Sequence, residues 1–129
     1  MVLTKLKYYI KQRLEEISGI NVYEGNAPDN AVFPYLVFKF PSASNTFRVT
    51  RTDRIMEIDY WNDNNDDTAV LNASELVRNG DGDTKQGLDF SRQNEVEGFY
   101  KCYWDWEGEI PDPDNEIYHF QQRYLLQVG

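Results

Sequence analysis

Three separate stretches of this chain alternate apolar and polar side chains with a period of two, and that period narrows the possible folds most. Residues 116–128 put Tyr118, Phe120, Tyr124, Leu126 and Val128 on one face. Residues 54–61 send Met56, Ile58 and Tyr60 one way and Ile55, Glu57, Asp59 and Trp61 the other. Residues 97–106 give Tyr100, Cys102, Trp104 and Trp106 against Phe99 and Tyr103. Such alternation belongs to strands buried on one side, and its repetition points to a mainly antiparallel sheet. Two shorter runs, 20–23 and 34–40, add strands. Pro34 opens the second, where a missing N–H is tolerated.

A face buried on a sheet needs a cover, and two segments have the helical period to provide it. Leu3, Leu6, Ile10, Leu14 and Ile17 recur at three- and four-residue steps over 3–18, with Gly19 placed to stop the helix. Over 67–79, Ala69, Val70, Ala73, Leu76 and Val77 share a side, and Asp66 and Asp67 suit the positive helix end. The expected fold is therefore α+β: a mainly antiparallel (mixed) sheet of about five strands, with two helices packed on one face. The order is α-β-β-β-α-β-β, in one domain over 1–129. Residues 41–53, with Arg48 and Arg51, form a loop long for a hairpin. Residues 80–96 are irregular, with Leu88 and Phe90 as their anchors.

Composition fits a packed domain, since aromatics reach 15% of the 129 residues and disordered chains are poor in them. Cys102 is the single cysteine, which excludes an intrachain disulfide. No stretch approaches the roughly 20 apolar residues of a membrane helix. The N-terminus lacks the apolar block of a signal peptide, so the protein is expected to be intracellular when made. The net charge of -9 opposes nonspecific binding to nucleic acid. It is also unevenly spread. Residues 1–54 hold eight Lys/Arg and five Asp/Glu (+3), whereas 55–129 hold five and seventeen (-12). Asymmetry of this kind points to partner interaction.

The motifs of catalysis are sparse. His119 is the single histidine and lies out of phase with its strand's apolar face, as a sheet-surface residue would. Nothing around Cys102 resembles an activated thiol or a zinc site. Asn79, Asp81 and Asp83 match the start of a calcium loop, but the twelfth position is Phe90 counted from Asn79 and Arg92 counted from Asp81, where a Glu is needed. Asp112, Asp114 and Glu116 alternate beside Asp105, Glu107 and Glu109, as paired carboxylates for glycoside hydrolysis would, and Trp104 and Trp106 beside them suit a sugar-binding face, but Pro111 and Pro113 mark a turn, where acids are ordinary solvated residues. Dinucleotide, Walker, HExxH and CxxC signatures do not occur. No catalytic residue, metal ligand or cofactor is therefore assigned.

Several landmarks taken together resemble the tail terminator (tail completion) proteins of long-tailed bacteriophages and prophages. They are the helix with Leu6 and Leu14, then Val22-Tyr23, Ala27-Pro28 and Phe33-Pro34-Tyr35-Leu36-Val37-Phe38. The strand Ile55 to Trp61, ending Ile58-Asp59-Tyr60-Trp61, follows, then a helix with Ala69 and Leu76 and two closing strands. The acidic segment Asn79 to Glu97 departs from the family's compact pattern. The resemblance implies a structural virion protein and no enzyme. It implies a ring, typically hexameric, at the head-proximal end of the tail tube. That ring would halt tube polymerisation and form the joint to the head. The implied partners are further copies of the chain, the tail tube protein and the head connector or stopper, with no membrane and no sequence-specific nucleic acid. The implied location is the virion tail, and the host cytoplasm during assembly.

A ring needs two different complementary patches on each subunit. Arg48, Arg51 and Arg54 are candidates for one patch, and Asp105, Glu107, Glu109, Asp112 and Asp114 for the other. The competing readings are another head-tail connector component (a stopper or adaptor) and a small carbohydrate-binding module built on Trp104 and Trp106.

Overall fold

The structure, a computed structural model, describes residues 2–45, 52–89, 92–95 and 98–129. Helix α1 spans Leu3–Ile17, and strands β1 (Asn21–Glu24), β2 (Tyr35–Asn45) and β3 (Thr52–Asn62) follow. Helix α2 spans Thr68–Asn79, and β4 (Arg92–Glu95), β5 (Gly98–Glu109) and β6 (Tyr118–Val128) complete the chain. The six strands form one sheet in the order β1-β2-β3-β6-β5-β4. All neighbours are antiparallel except β1 and β2, so the sheet is mixed and the α+β class holds.

The alternation does what its period predicts. Leu36, Phe38, Met56, Ile58, Tyr60, Tyr100, Cys102, Phe120, Tyr124, Leu126 and Val128 all turn to one side of the sheet and are buried there. Leu6, Ile10, Leu14 and Ile17 of α1 and Val70, Ala73 and Val77 of α2 cover them. Both helices therefore lie on the same face. Full burial of each Leu or Ile stabilises the fold by roughly 1.5–3 kcal/mol, which is why one face is specified so firmly. Gly19, at φ +73°, takes the left-handed turn that ends α1. Asp66 Oδ1 accepts the N–H of Thr68 (3.0 Å) at the start of α2.

Two local features depart from the periodic reading. The region 80–96, expected to be irregular, contains β4, whose register pairs Gln93 with Tyr100. Its sequence Arg-Gln-Asn-Glu has no apolar face, and an edge strand of this kind is held by its backbone ladder. Leu88 is buried as expected, while Phe90 lies outside the described residues. The loop expected over 41–53 is shorter, because β2 runs on to Asn45 and β3 begins at Thr52. Pro41 falls in the register shift between Lys39 and Ser42, a place where a strand accepts proline.

Candidate functional site

With both helices on one side, the other face of the sheet has no helix over it among the described residues. Register decides what appears there. Tyr35 pairs with Trp61, and Trp61 pairs with His119, so three rings from β2, β3 and β6 stand side by side. Tyr35 and Trp61 have centroids 5.4 Å apart, and Trp61 stacks on the His119 imidazole at 4.4 Å. Tyr23 of β1 meets Tyr35 edge-on at 5.8 Å, and Phe33 stacks on it at 5.3 Å. The result is an aromatic row across four strands, none of whose rings is fully buried. Each aromatic pair contributes roughly 0.5–1.5 kcal/mol beyond its buried area, so the contacts favour this arrangement of the rings.

A polar ladder continues from the row along β6. His119 Nε2 lies 2.8 Å from Asp59 Oδ1. Gln121 Nε2 donates to Asp59 Oδ1 (3.1 Å) and to Glu57 Oε2 (3.0 Å). Arg123 Nη2 is 4.0 Å from Glu57 Oε2, and its guanidinium lies 5.7 Å from the Trp106 ring centre. At the other side of the row, Asp112, Asn65, Pro111 and His119 line an open cleft of ≈ 330 Å³. Burial, Tyr23 and Asp112, in that order, push the Tyr35 hydroxyl above its ordinary pKa. The face can thus present π surfaces flanked by carboxylates, which suits stacking and cation contacts with another molecule. His119 and Cys102 stand on opposite sides of the sheet, so they cannot act as a pair. Burial pushes the Cys102 thiol up, away from the thiolate that a nucleophile needs.

The pairing of Trp104 and Trp106 on one side does not survive. A register shift separates Trp104, opposite Tyr124, from Trp106, opposite Arg123. The extra residue, Asp105, makes a bulge that inverts the alternation. Trp104 therefore faces the helices, under the Arg78 guanidinium at 3.6 Å, and Trp106 faces outward, 40% exposed. The two rings cannot make a common sugar platform.

The charged candidates are also dispersed. Arg48 and Arg51 lie outside the described residues. Arg54 sits on the helix-covered side near the start of β3, opposite Leu126 and about 23 Å along the strand from Trp61. Asp105 is exposed at the bulge. Glu107 turns inward, where its Oε1 accepts from Trp104 Nε1 (2.9 Å) and Gln122 Nε2 (3.2 Å) and lies 3.8 Å from Arg78 Nη1. Glu109 accepts the Tyr118 hydroxyl (3.0 Å). Asp112 and Asp114 lie in the connection from β5 to β6, at the Trp61 end of the sheet. Their Oδ1 atoms accept the N–H groups of Asp114 and Glu116, both at 2.9 Å. Asp81 spends its carboxylate on its own turn, accepting the N–H groups of Asp83 and Lys85, both at 2.9 Å. These bonds hold its pKa at about 2.

The aromatic row is the feature the sequence did not announce. Its members come from β1, the connection before β2, β2, β3 and β6, and only the registers unite them. The available signal was the placement of Trp61 and His119 out of phase with the apolar face.

No protein-family model matches the chain, and no curated protein matches it significantly.

Proposed function

We propose that the protein is a virion structural component that assembles as a ring on the end of a phage tail tube, terminates tube growth and forms the joint to the head. The observation that carries this reading is the uncovered sheet face, where an aromatic row and a rim of carboxylates stand ready for a protein partner. Half-buried aromatics in a cross-strand arrangement are among the residue types enriched at protein interfaces, and their packing against one another lowers the side-chain entropy lost on docking. The resemblance of Val22-Tyr23, Ala27-Pro28 and Phe33-Pro34-Tyr35 to tail terminators supports the same reading, and three of those residues, Tyr23, Phe33 and Tyr35, belong to the row. The proposed partners are further copies of this chain, the tail tube protein and the head connector. The role calls for no reaction and no cofactor.

The test is to incubate the purified protein with tail tubes of the phage that encodes it and to image the tubes by electron microscopy. The expected result is a ring of density at one tube end and an arrest of further growth. Bare tubes with the protein bound to filled heads instead would reassign it to the stopper or adaptor class. Binding to neither refutes the virion reading.

A further inference from the structure

We propose that the exposed stripe of α1 on one copy docks on the aromatic row of the next copy, joining subunits back to front. This deepens the ring reading and rests on it for the claim that the contact repeats.

The stripe is Lys5, Tyr8, Lys11 and Gln12, all exposed and all turned away from the sheet that α1 covers. Tyr8 is 57% exposed, with a lysine one turn to either side. Its hydroxyl already accepts from Gln12 Nε2 (3.0 Å), which holds the ring upright. Lys5 and Lys11 are the cations of this stripe, and the exposed acids Glu15 and Glu16 follow in the next turn, beyond the segment that would lie on the row. The connection beside the aromatic row reads Ile-Pro-Asp-Pro-Asp-Asn-Glu-Ile over 110–117, three acids and no base. The strand cations nearest the row, Lys39 and Arg123, lie four residues along their strands from it, about 13 Å away. An exposed tyrosine flanked by two lysines therefore faces outward on one side of the molecule, and an aromatic row with an acidic rim on the other.

The dimensions agree. Lys5 to Gln12 spans about 10 Å of helix, which the lysine side chains extend. The row spans three strand spacings, about 14 Å. Docking would lay Tyr8 on the Tyr35 and Trp61 rings and bring the Lys5 and Lys11 ammonium groups to Asp112 and Glu116. A helix of about 22 Å covers less than a standard interface, so the free contact is weak and salt-sensitive. Because the two patches differ and lie on opposite sides, the contact is heterologous and can close a ring.

Sedimentation equilibrium at the highest soluble concentration and low salt tests the contact. The expected result is self-association that fades with added salt. Tyr8→Glu and Trp61→Ala should each weaken it at least about tenfold. Asp112→Lys, outside the sheet, should do the same without touching the packing of the rings. An equimolar mixture of Tyr8→Glu and Trp61→Ala proteins should form a dimer and nothing larger, because one intact stripe then meets one intact row. A protein that stays monomeric throughout overturns the proposal. So does association that Tyr8→Glu leaves unchanged, or a mixture that fails to pair. If Tyr8→Glu still caps tubes with a full ring, the ring reading stands and this contact falls. If the wild type self-associates as described but never binds tubes, the ring reading falls and the contact stands.

Discussion

Replacing Gln122 by leucine should destabilise the fold sharply, and removing its partners as well should restore most of the loss. Gln122 is fully buried between the sheet and α2. Its Oε1 accepts the hydroxyls of Tyr60 (2.5 Å) and Tyr124 (3.2 Å). Its Nε2 donates to the Ser74 carbonyl (3.0 Å) and to Glu107 Oε1 (3.2 Å). Gln122→Leu keeps the volume but strands two phenols in an apolar interior, at about 1–3 kcal/mol each. Glu107 keeps Trp104 Nε1 and the neighbouring Arg78, so its loss is small. With some return from leucine packing, the expected cost is about 3 kcal/mol. At a urea slope of about 2 kcal/mol/M, the midpoint should fall by about 1.5 M. The triple variant Tyr60→Phe/Gln122→Leu/Tyr124→Phe removes both stranded hydroxyls and should regain more than half of that. Urea unfolding followed by far-UV circular dichroism reads both. A single variant within about 0.5 kcal/mol of wild type, or a triple variant no more stable than the single, would refute the network as a cohesive element.

Four further outcomes follow from the same geometry. Trp104→Ala should cost about 3 kcal/mol, because the ring carries the Arg78 contact and the Glu107 hydrogen bond, whereas Trp106→Ala should cost less than about 1 kcal/mol; thermal unfolding of both separates them. Gly87→Ala should destabilise by about 2 kcal/mol in the same assay, since an added Cβ runs into the backbone of Arg78. Burial raises Tyr100 to about 12 and also raises Tyr60 and Tyr124, so their contribution is complete below the unfolded value of 10.0 and is lost as pH climbs through the folded values; in an alkaline titration these three should appear as a late step of phenolate absorbance that coincides with the loss of far-UV circular dichroism. Asp81 behaves in the opposite sense: its folded pKa of about 2 lies below 3.8, so its contribution is present above 3.8 and lost as pH falls toward 2, and Asp81→Asn should flatten that part of an acid-unfolding profile.

The elements legible from sequence were those with a long, one-sided apolar pattern. The α1 stripe Leu6, Ile10, Leu14 and Ile17 and the β6 set Tyr118 to Val128 are buried as their periods require. Period alone does not see an inserted residue. At Asp105 a single extra position inverts everything after it, which turns Trp106 outward and Glu107 inward. Nor does it see an edge strand such as β4, whose sequence Arg-Gln-Asn-Glu offers no alternation of apolar residues. The charged candidates were chosen by sign and spacing, yet Glu107 and Glu109 are engaged inside the subunit by Trp104, Gln122 and Tyr118. The aromatic row was illegible for a related reason. Apart from Phe33 and Tyr35, its rings are distant in sequence and meet through registers that no local pattern encodes.

The central claim is that the open sheet face is the surface used in assembly. Hydroxyl-radical footprinting of the free protein and of the protein bound to tail tubes tests it directly. Tyr35 and Trp61 should lose reactivity on assembly, while Trp104, enclosed between the sheet and α2, should react equally in both. Equal labelling of Tyr35 and Trp61 in the two states would contradict the claim.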